Sequence, residues 1–196
     1  MIELDPQQQE KMALYVHEVL RFRKALNLTS VDDEAEFYQR FIHPTLAMIP
    51  YIPRHHGRFL DIGSGMGVPG VPLMIAMPDM VGVLVERRKK RAEFLRHILR
   101  RVRLRGEVYD ADVRHLPCLN IDLFTARAVT EPASLFDMCT PHANKGAVAV
   151  MPVSGTAPLQ AHGDWKPVEH SFVDAVNTQQ IQHYAWHGQE DVSRET

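Results

Sequence analysis

The sequence predicts an α/β fold in which a mostly parallel, seven-stranded sheet has helices on both faces and follows an N-terminal helical extension. From residue 58 onward, short apolar runs of strand length alternate with amphipathic segments of helix length, which is typical of parallel sheets. Between the first such run and the next helical segment lies a cluster of glycines. Such a cluster is typical of the tight turn that joins a strand to a helix in these folds.

The N-terminal extension is predicted to contain two helices. Residues 6–26 carry a broad apolar face at helical spacing. A second helix is expected near residues 34–51, because Asp33 and Glu36 have the spacing of an N-cap residue and its partner. Pro44 should kink or divide this second helix, since proline removes a backbone donor.

The α/β core is predicted from the alternation of apolar patterns. Strands are expected at residues 58–63, 81–86, 106–110, 121–127 and 146–151, and helices at residues 68–77, 88–103 and 131–140. Two further strands, near residues 168–174 and 179–187, would complete the sheet. The carboxyl ends of parallel strands meet at one sheet edge, where ligands bind, so polar residues at these ends are candidate site residues.

Length and composition indicate one domain over residues 1–196, with helices in 1–52, the α/β core in 58–187 and a loose tail in 188–196. The hydrophobic content of 45% and the charged content of 23% are ordinary for a globular protein. No apolar run approaches the ~20 residues that span a bilayer, and no signal peptide is recognisable. Two cysteines and 11 histidines show no disulfide or metal-site spacing. A cytoplasmic protein without a metal is therefore expected.

The most informative segment follows the first predicted strand and reads Asp61-Ile62-Gly63-Ser64-Gly65-Met66-Gly67-Val68-Pro69-Gly70. Glycines tolerate positive φ and let a ligand approach the backbone, while the helix start behind them offers free N–H groups. A second acid, Glu86, ends the next predicted strand, where a carboxylate typically binds a ribose diol. The segment therefore indicates a nucleoside cofactor.

Two cofactors fit this glycine loop. Gly65, Gly67 and Gly70 have the spacing of the dinucleotide fingerprint of NAD enzymes. Asp61 followed by Gly63, Gly65 and Gly67 has the pattern of S-adenosylmethionine (SAM) methyltransferases. Asp61 favours SAM, because a carboxylate attracts the ammonium and sulfonium charges of SAM and repels the pyrophosphate of a dinucleotide. A tight turn without a ligand is the structural alternative.

Several polar residues are expected to converge on the cofactor. Asp61 would bind the ammonium group of SAM, and Glu86 would accept hydrogen bonds from both ribose hydroxyls. Asp112 and the N–H of Val113 would contact the adenine ring. The alternatives are a cap of the glycine turn for Asp61, a contact with neighbouring arginines for Glu86 and a helix N-cap for Asp112. The predicted cofactor-binding residues are Asp61, Gly63, Ser64, Gly65, Met66, Gly67, Gly70, Glu86, Asp112, Val113 and Arg127.

A second feature is the clustering of positive charge. Ten of the 22 Lys and Arg residues lie between Arg87 and Arg105, together with a single acid, Glu93, although the net charge of the chain is −2. Such a patch suggests an anionic partner, with nucleic acid as the first candidate, whereas a solvated helix face is the alternative. The candidate RNA-contacting residues are Arg40, Arg87, Arg88, Lys90, Arg91 and Arg127.

Arg127 follows the fourth predicted strand among apolar neighbours. Burying its charge is costly unless the guanidinium is paired. It is expected to contact either the cofactor carboxylate or an RNA phosphate, since its planar fork suits both. An ion pair with Glu86 or Asp61 is the alternative.

These motifs resemble those of the bacterial small-subunit ribosomal RNA guanine-N7 methyltransferases, the RsmG/GidB family. The similarity covers residues 26–128, roughly half of the chain. It rests on Asn27-Leu28-Thr29, on the glycine loop with its Pro69-Gly70-Val71-Pro72 ending, on Lys90-Arg91 with Phe94-Leu95, and on Ala126-Arg127-Ala128. The chain departs from the family after the fifth strand, where a family lysine is missing from Val150-Met151-Pro152-Val153, and after Glu86, where Arg87-Arg88-Lys89 replace small residues.

The resemblance implies a class I SAM-dependent methyltransferase fold, SAM as cofactor and guanine N7 of small-subunit rRNA as acceptor. It also implies a monomer that acts on rRNA or a ribosomal particle. Guanine N7 carries an in-plane lone pair and no proton, so the reaction needs positioning and no dedicated catalytic base. The alternatives are a SAM methyltransferase with another acceptor, or a SAM- and RNA-binding protein with little catalytic activity.

Overall fold

The computed structural model describes residues 2–127, 132–154, 160–168, 172–174 and 179–188. Its strands are β1 (Gly57–Ile62), β2 (Met80–Val85), β3 (Gly106–Tyr109), β4 (Ile121–Ala126), β5 (Ala143–Ser154), β6 (Trp165–Pro167), β7 (Phe172–Asp174) and β8 (Gln179–Trp186). They form one sheet in the order β3-β2-β1-β4-β5-β8, with β6 and β7 on the far side of β8. The strands β1 to β5 are parallel and β8 is antiparallel to β5. The predicted α/β fold is confirmed.

The helices also follow the predicted order. They are α1 (Pro6–Phe22), α2 (Glu34–Phe37), α3 (His43–Leu46), α4 (Gly70–Ala76), α5 (Lys89–Val102) and α6 (Pro132–Cys139). The Asp33 side chain caps α2 by accepting a hydrogen bond from the Glu36 N–H at 2.8 Å, as predicted. A π-helical turn over Tyr38–Ile42 separates α2 from α3 and ends two residues before Pro44, so the predicted division of this helix is confirmed. Within the described residues, no helix has both the length and the apolar character needed to cross a bilayer.

Several predicted elements differ from the structure, and the second helix, expected to residue 51, ends at Leu46. The first helix ends at Phe22 and not at residue 26. β5 begins at Ala143, and its register against β4 shifts where Gly146 adopts a φ of +72°. The single strand predicted over 168–174 is wrong, because two short strands, β6 and β7, pair with opposite ends of β8. Of the predicted tail, residues 189–196 lie outside the described residues.

Two apolar layers cover the faces of the sheet. One layer joins Phe59 and Leu123 to the buried faces of α1, α4 and α5, and the other joins Leu60 and Phe124 to α6 and Trp165. Because side chains alternate along a strand, Asp61 points to the same face as Phe59. The carboxylate of Asp61 therefore lies in the layer that the N-terminal helices cover.

Helix α1 is held onto this layer by polar contacts as well as apolar packing. The Glu18 side chain is 2% exposed and lies 2.7 Å from Nε2 of His97 on α5. The hydroxyl of Tyr15, which is fully buried, donates to the carbonyl of Met66 in the glycine loop at 3.1 Å. The N-terminal extension is thus a structural support of the loop.

Candidate functional site

Asp61 is the most deeply buried charged residue at the carboxyl edge of the sheet. It has no exposed surface, and its Oδ2 accepts a hydrogen bond from the N–H of Gly70 at 3.2 Å. Its Oδ1 has no hydrogen-bond partner in the described part of the chain. Thr125, the direct neighbour of Asp61 on β4, likewise has a buried hydroxyl without a partner there. Buried polar atoms in native proteins are nearly always paired, so these two oxygens mark a place where a ligand donor would be stabilised.

The environment of Asp61 changes its acidity. The pKa of Asp61 is raised to about 7, mainly by burial and to a smaller extent by repulsion from the Glu86 carboxylate, while the Ser64 hydroxyl and the Gly70 N–H act in the opposite direction. A cationic group placed against Oδ1 would stabilise the ionised form and lower this pKa. Asp61 is therefore both a cap of the turn, which was the alternative prediction, and a possible anion for a ligand.

The glycine loop has a backbone that only glycine adopts without strain. Gly63, Gly65 and Gly67 have φ values of +72°, +55° and +101°. A Cβ on Gly67 would lie 2.7 Å from the Val71 side chain, whereas a Cβ on Gly65 would meet no neighbouring atom closer than 3.7 Å. A Cβ on Gly63 would meet no atom within 4 Å, so Gly63 faces open space and leaves room for a ligand beside the loop.

Gly70 serves a different purpose at the start of α4. A Cβ there would lie 2.6 Å from both the Asp61 Oδ2 and the Leu84 side chain. The absence of a side chain at Gly70 allows α4 to approach β1 and β2 closely enough for its N–H to reach Asp61. Ser64 adds a bond within the turn, because its hydroxyl donates to the carbonyl of Asp61 at 2.9 Å.

Glu86 anchors the glycine loop from the neighbouring strand. Its Oε2 accepts from the N–H of Gly65 at 3.0 Å, and its Oε1 accepts from the N–H of Arg88 at 2.8 Å. Within the part of the chain that the structure describes, the predicted contact of Glu86 with neighbouring arginines is a hydrogen bond from the Arg88 backbone. Each oxygen retains a second lone pair, which leaves capacity for two ribose hydroxyls.

A cleft of about 470 Å³ opens beside the loop, at the carboxyl ends of β1 and β2. Asp112 and Val113 line it, as the adenine prediction requires, and α6 adds Ser134 and Asp137, which sequence reasoning missed. No sequence motif marks Ser134 and Asp137, because their place in the cleft depends on how α6 packs beside the strands. The residues that line the cleft are Ile62, Gly63, Val85, Arg87, Ala111, Asp112, Val113, Arg114, Ser134, Asp137 and Met138.

The carboxylate of Asp112 is already engaged in the structure. It caps the following 3₁₀ turn by accepting from the Arg114 N–H at 3.1 Å, and it forms two bonds with the Arg114 guanidinium, at 2.9 and 2.6 Å. Arg87 lies 3.6 Å away on the other side. The hydrogen bonds from Arg114 hold the pKa of Asp112 well below its usual range. The alternative prediction of an N-cap is therefore confirmed, and an adenine contact must share this carboxylate.

Arg127 and Arg40 lie on one aromatic ring. The Arg127 guanidinium carbon is 4.3 Å from the centre of the Phe41 ring, and that of Arg40 is 5.6 Å away. Arg40 also pairs with Glu36 at 2.9 Å. The predicted ion pair of Arg127 with Glu86 or Asp61 is wrong for the described residues, because no such contact forms among them.

The physical reason is that the face of the Phe41 ring replaces a carboxylate as the partner of the partly buried Arg127 guanidinium. Burial and the repulsion of Arg40 lower the pKa of Arg127 to about 10, so Arg127 stays charged at neutral pH. Two cations thus share one ring at the sheet edge, and among the described residues no carboxylate forms an ion pair with Arg127.

The basic residues after β2 differ in exposure and in their contacts, since Arg87 is exposed but lies 3.6 Å from Asp112. Arg87, Arg88 and Lys90 are exposed, while Arg91 is partly buried and donates to the carbonyl of Asn27. Arg91 thus ties the segment after α1 to α5, which adds a structural role to the predicted RNA contact. In the described residues, no group of three His, Cys, Asp or Glu side chains is arranged to hold a metal ion.

The strand order, the glycine loop and the two strand-end carboxylates together define a class I SAM-dependent methyltransferase fold. An O-methyltransferase from Bacillus cereus, solved in complex with S-adenosylhomocysteine (SAH), has this fold with a TM-score of 0.61 at 14% identity, over 88% of this chain and 90% of that chain. Residues 8–161 match the family model described as rRNA small subunit methyltransferase G (GidB), and the chain belongs to this family. The predicted resemblance is confirmed.

Curated relatives carry the same description. Ribosomal RNA small subunit methyltransferase G of Syntrophotalea carbinolica is 31% identical over 150 residues, which cover 72% of this chain and 68% of that protein. The protein of the same name from Desulfotalea psychrophila is 37% identical over 143 residues, which cover 70% of this chain and 65% of that protein. The chain thus matches about two thirds of the length of these relatives.

The raised pKa of Asp61 predicts how the stability of the ligand-free protein depends on pH. Between the ordinary pKa of 3.8 and about 7, the folded protein keeps a proton that the unfolded chain releases. The stabilisation of the folded state by the protonated Asp61 is therefore fully present below about pH 4 and is lost as the pH rises to about 7. Above that pH, Asp61 causes no further change in the free energy of unfolding. Replacing Asp61 by Asn should remove this loss, which amounts to about 4 kcal/mol.

The measurement is urea unfolding of the wild type and of Asp61→Asn between pH 4 and pH 8. The difference in unfolding free energy between the two proteins should move in favour of the variant as the pH rises. Asp79→Asn, an exposed aspartate before β2, is the control and should follow the wild type. Parallel curves for the wild type and Asp61→Asn would show that Asp61 has an ordinary pKa.

Proposed function

We propose that this chain binds SAM at the glycine loop and transfers its methyl group to guanine N7 in small-subunit rRNA. The observation that carries the proposal is the buried Asp61 carboxylate, which has one oxygen fixed by Gly70 and one without a partner in the described chain. Family membership supports SAM and rRNA as the reactants. The finer assignment to guanine N7 follows from the family resemblance.

The residues present fit SAM. The free Oδ1 of Asp61 suits the α-ammonium group, and the loop backbone beside Gly63 leaves space for the methionine moiety. The remaining lone pairs of Glu86 suit the ribose hydroxyls, and the cleft beside Asp112 and Val113 has room for an adenine. A dinucleotide would instead place its pyrophosphate next to Asp61 and Glu86, where charge repulsion disfavours it.

When bound, SAM supplies an electrophilic methyl group on a sulfonium sulfur. The task of the protein is then to hold the acceptor in line with this methyl group. A guanine N7 lone pair needs no deprotonation, so none of the site residues must act as a base. Arg127 and Arg40, which share the Phe41 ring, would hold a phosphate of the RNA or the cofactor carboxylate at the sheet edge.

The cofactor assignment predicts pH-dependent binding. Because a cation binds the ionised form of Asp61, affinity for SAH should rise about tenfold per pH unit below the pKa of about 7 and level off above it. Asp61→Asn should bind SAH weakly and without this dependence. Calorimetric titration with SAH at pH 6, 7 and 8 tests this, with Asp79→Asn as the control and NAD as the competing ligand. Binding of NAD in place of SAH would contradict the proposal.

The acceptor assignment predicts site-specific methylation. With labelled SAM, the protein should transfer one methyl group to small ribosomal subunits from cells that lack this modification. Cleavage chemistry selective for N7-methylguanine should then map it to a single guanine. Transfer to another atom would support the alternative of a different acceptor. The family lysine that is missing near Met151 is the sequence difference that favours this alternative. SAH binding without any transfer would support a binding protein with little activity.

A further inference from the structure

A second basic surface lies at the sheet edge opposite to the glycine loop. It consists of Arg100, Arg101, Arg103 and Arg105, at the end of α5 and before β3, and we call it the distal basic surface. All four side chains are exposed. Among the described residues, no carboxylate lies within ion-pair distance of any of them. These charges are therefore available to an external anion.

By contrast with the distal basic surface, two other arginines that lie on or near α5 form ion pairs with carboxylates. Arg96 lies 2.6 Å from Asp110, and Arg58 lies 2.9 Å from Glu107. The carboxylates of this region are thus used by arginines that stabilise the fold. Arg101 is close enough to the buried Glu18 carboxylate to lower its pKa, whereas Arg100, Arg103 and Arg105 have no ion pair among the described residues and keep a positive charge that concentrates anions near them.

The backbone of Arg103 gives independent support. It has a φ of +57°, in the left-handed region, at the residue that ends α5. The Leu104 N–H donates to the Leu99 carbonyl at 2.9 Å, which closes the helix in the manner usually completed by glycine. Glycine would adopt this conformation without strain. An arginine at a position that favours glycine indicates that its side chain serves a purpose outside folding.

A shallow cleft of about 270 Å³ adjoins the same surface on the free edge of β3. Leucine and valine side chains form part of its lining, together with Arg96, which is paired with Asp110, and Arg100, which has no ion pair among the described residues. This combination suits a nucleotide, whose ribose and base contact apolar atoms while its phosphate contacts guanidinium groups. The residues that line this cleft are Arg96, Leu99, Arg100, Leu104, Gly106 and Val108.

Helix α5 connects the two basic ends of this layer. Its N-terminal end, with the exposed Lys89 and Lys90, follows the carboxyl end of β2, and its C-terminal end precedes the start of β3. At 1.5 Å per residue, the helix separates the two ends by about 20 Å. An RNA that contacts both ends must therefore run along α5.

We propose that the distal basic surface binds the phosphate backbone of the RNA substrate about 20 Å from the methyl-transfer site. This inference rests on the proposed function and adds a remote anchor to it. The anchor contributes to RNA affinity without touching the cofactor or the reacting guanine. The cofactor site and the anchor are therefore separable by mutation.

The test uses Arg103→Gly combined with Arg105→Gln. The matched control is Lys145→Gln combined with Lys166→Gln, which removes the same charge from exposed residues of β5 and β6 on the other side of the sheet. Affinity for a small-subunit rRNA transcript is measured between 50 and 200 mM salt. Thermal unfolding, SAH affinity and methylation of small ribosomal subunits are measured on the same proteins.

For the distal variant, RNA affinity should fall about tenfold at 150 mM salt, and the salt slope of log K should decrease by about 1.4, or 0.7 for each lost phosphate contact. KM for ribosomal subunits should rise, while kcat and SAH affinity stay at wild-type values. Thermal stability should not fall, because glycine relaxes the backbone at residue 103. The control pair should keep the wild-type slope.

If the salt slope of log K is the same in the distal variant, the control and the wild type, the proposal of a remote anchor is wrong. This holds even if the wild type methylates rRNA normally. Loss of SAH affinity or kcat in the distal variant would also overturn it, because the effect would then be structural. Preferential binding of the wild type to anionic vesicles over RNA would assign the surface to another partner. Failure of the wild type to bind SAH or to methylate rRNA would instead reject the proposed function itself.

Discussion

The fold of this site depends on one buried carboxylate. Asp61 points into the apolar layer under the N-terminal helices, where an ionised group is stable only with partners. One of its oxygens is fixed by the N–H of Gly70, and this bond requires α4 to approach so closely that no side chain fits at Gly70. The other oxygen has no partner in the described chain. The protein thus positions an anion beside the glycine loop and leaves half of its binding capacity for a ligand.

The loop itself is held from three directions, so its shape does not depend on a ligand. Asp61 fixes the start of α4, Glu86 accepts from the Gly65 N–H, and Tyr15 donates to the Met66 carbonyl. The third contact links the N-terminal extension to the cofactor edge and gives that extension a role in the site. A loop organised before binding loses little conformational entropy when the ligand binds.

Much of this architecture is predictable because it follows from local pattern. The alternation of apolar runs predicts β1 to β5 and the helices between them, and the glycine spacing with Asp61 and Glu86 predicts the cofactor edge. Tertiary partners are not predictable in the same way. The bond of Tyr15 to the Met66 carbonyl and the packing of Arg127 on Phe41 depend on three-dimensional proximity that spacing does not encode. The division of the outer strand into β6 and β7 likewise arises from pairing with β8, which a local pattern does not specify.

The most direct test of this account is a crystal structure of the protein with SAH. We expect the α-ammonium group within hydrogen-bond distance of the free Asp61 Oδ1, with the bond from Gly70 to Oδ2 intact and both ribose hydroxyls on Glu86. SAH bound with its ammonium group away from Asp61, or with Asp61 still lacking a partner at Oδ1, would contradict the central claim. The carboxylate would then be a structural cap alone.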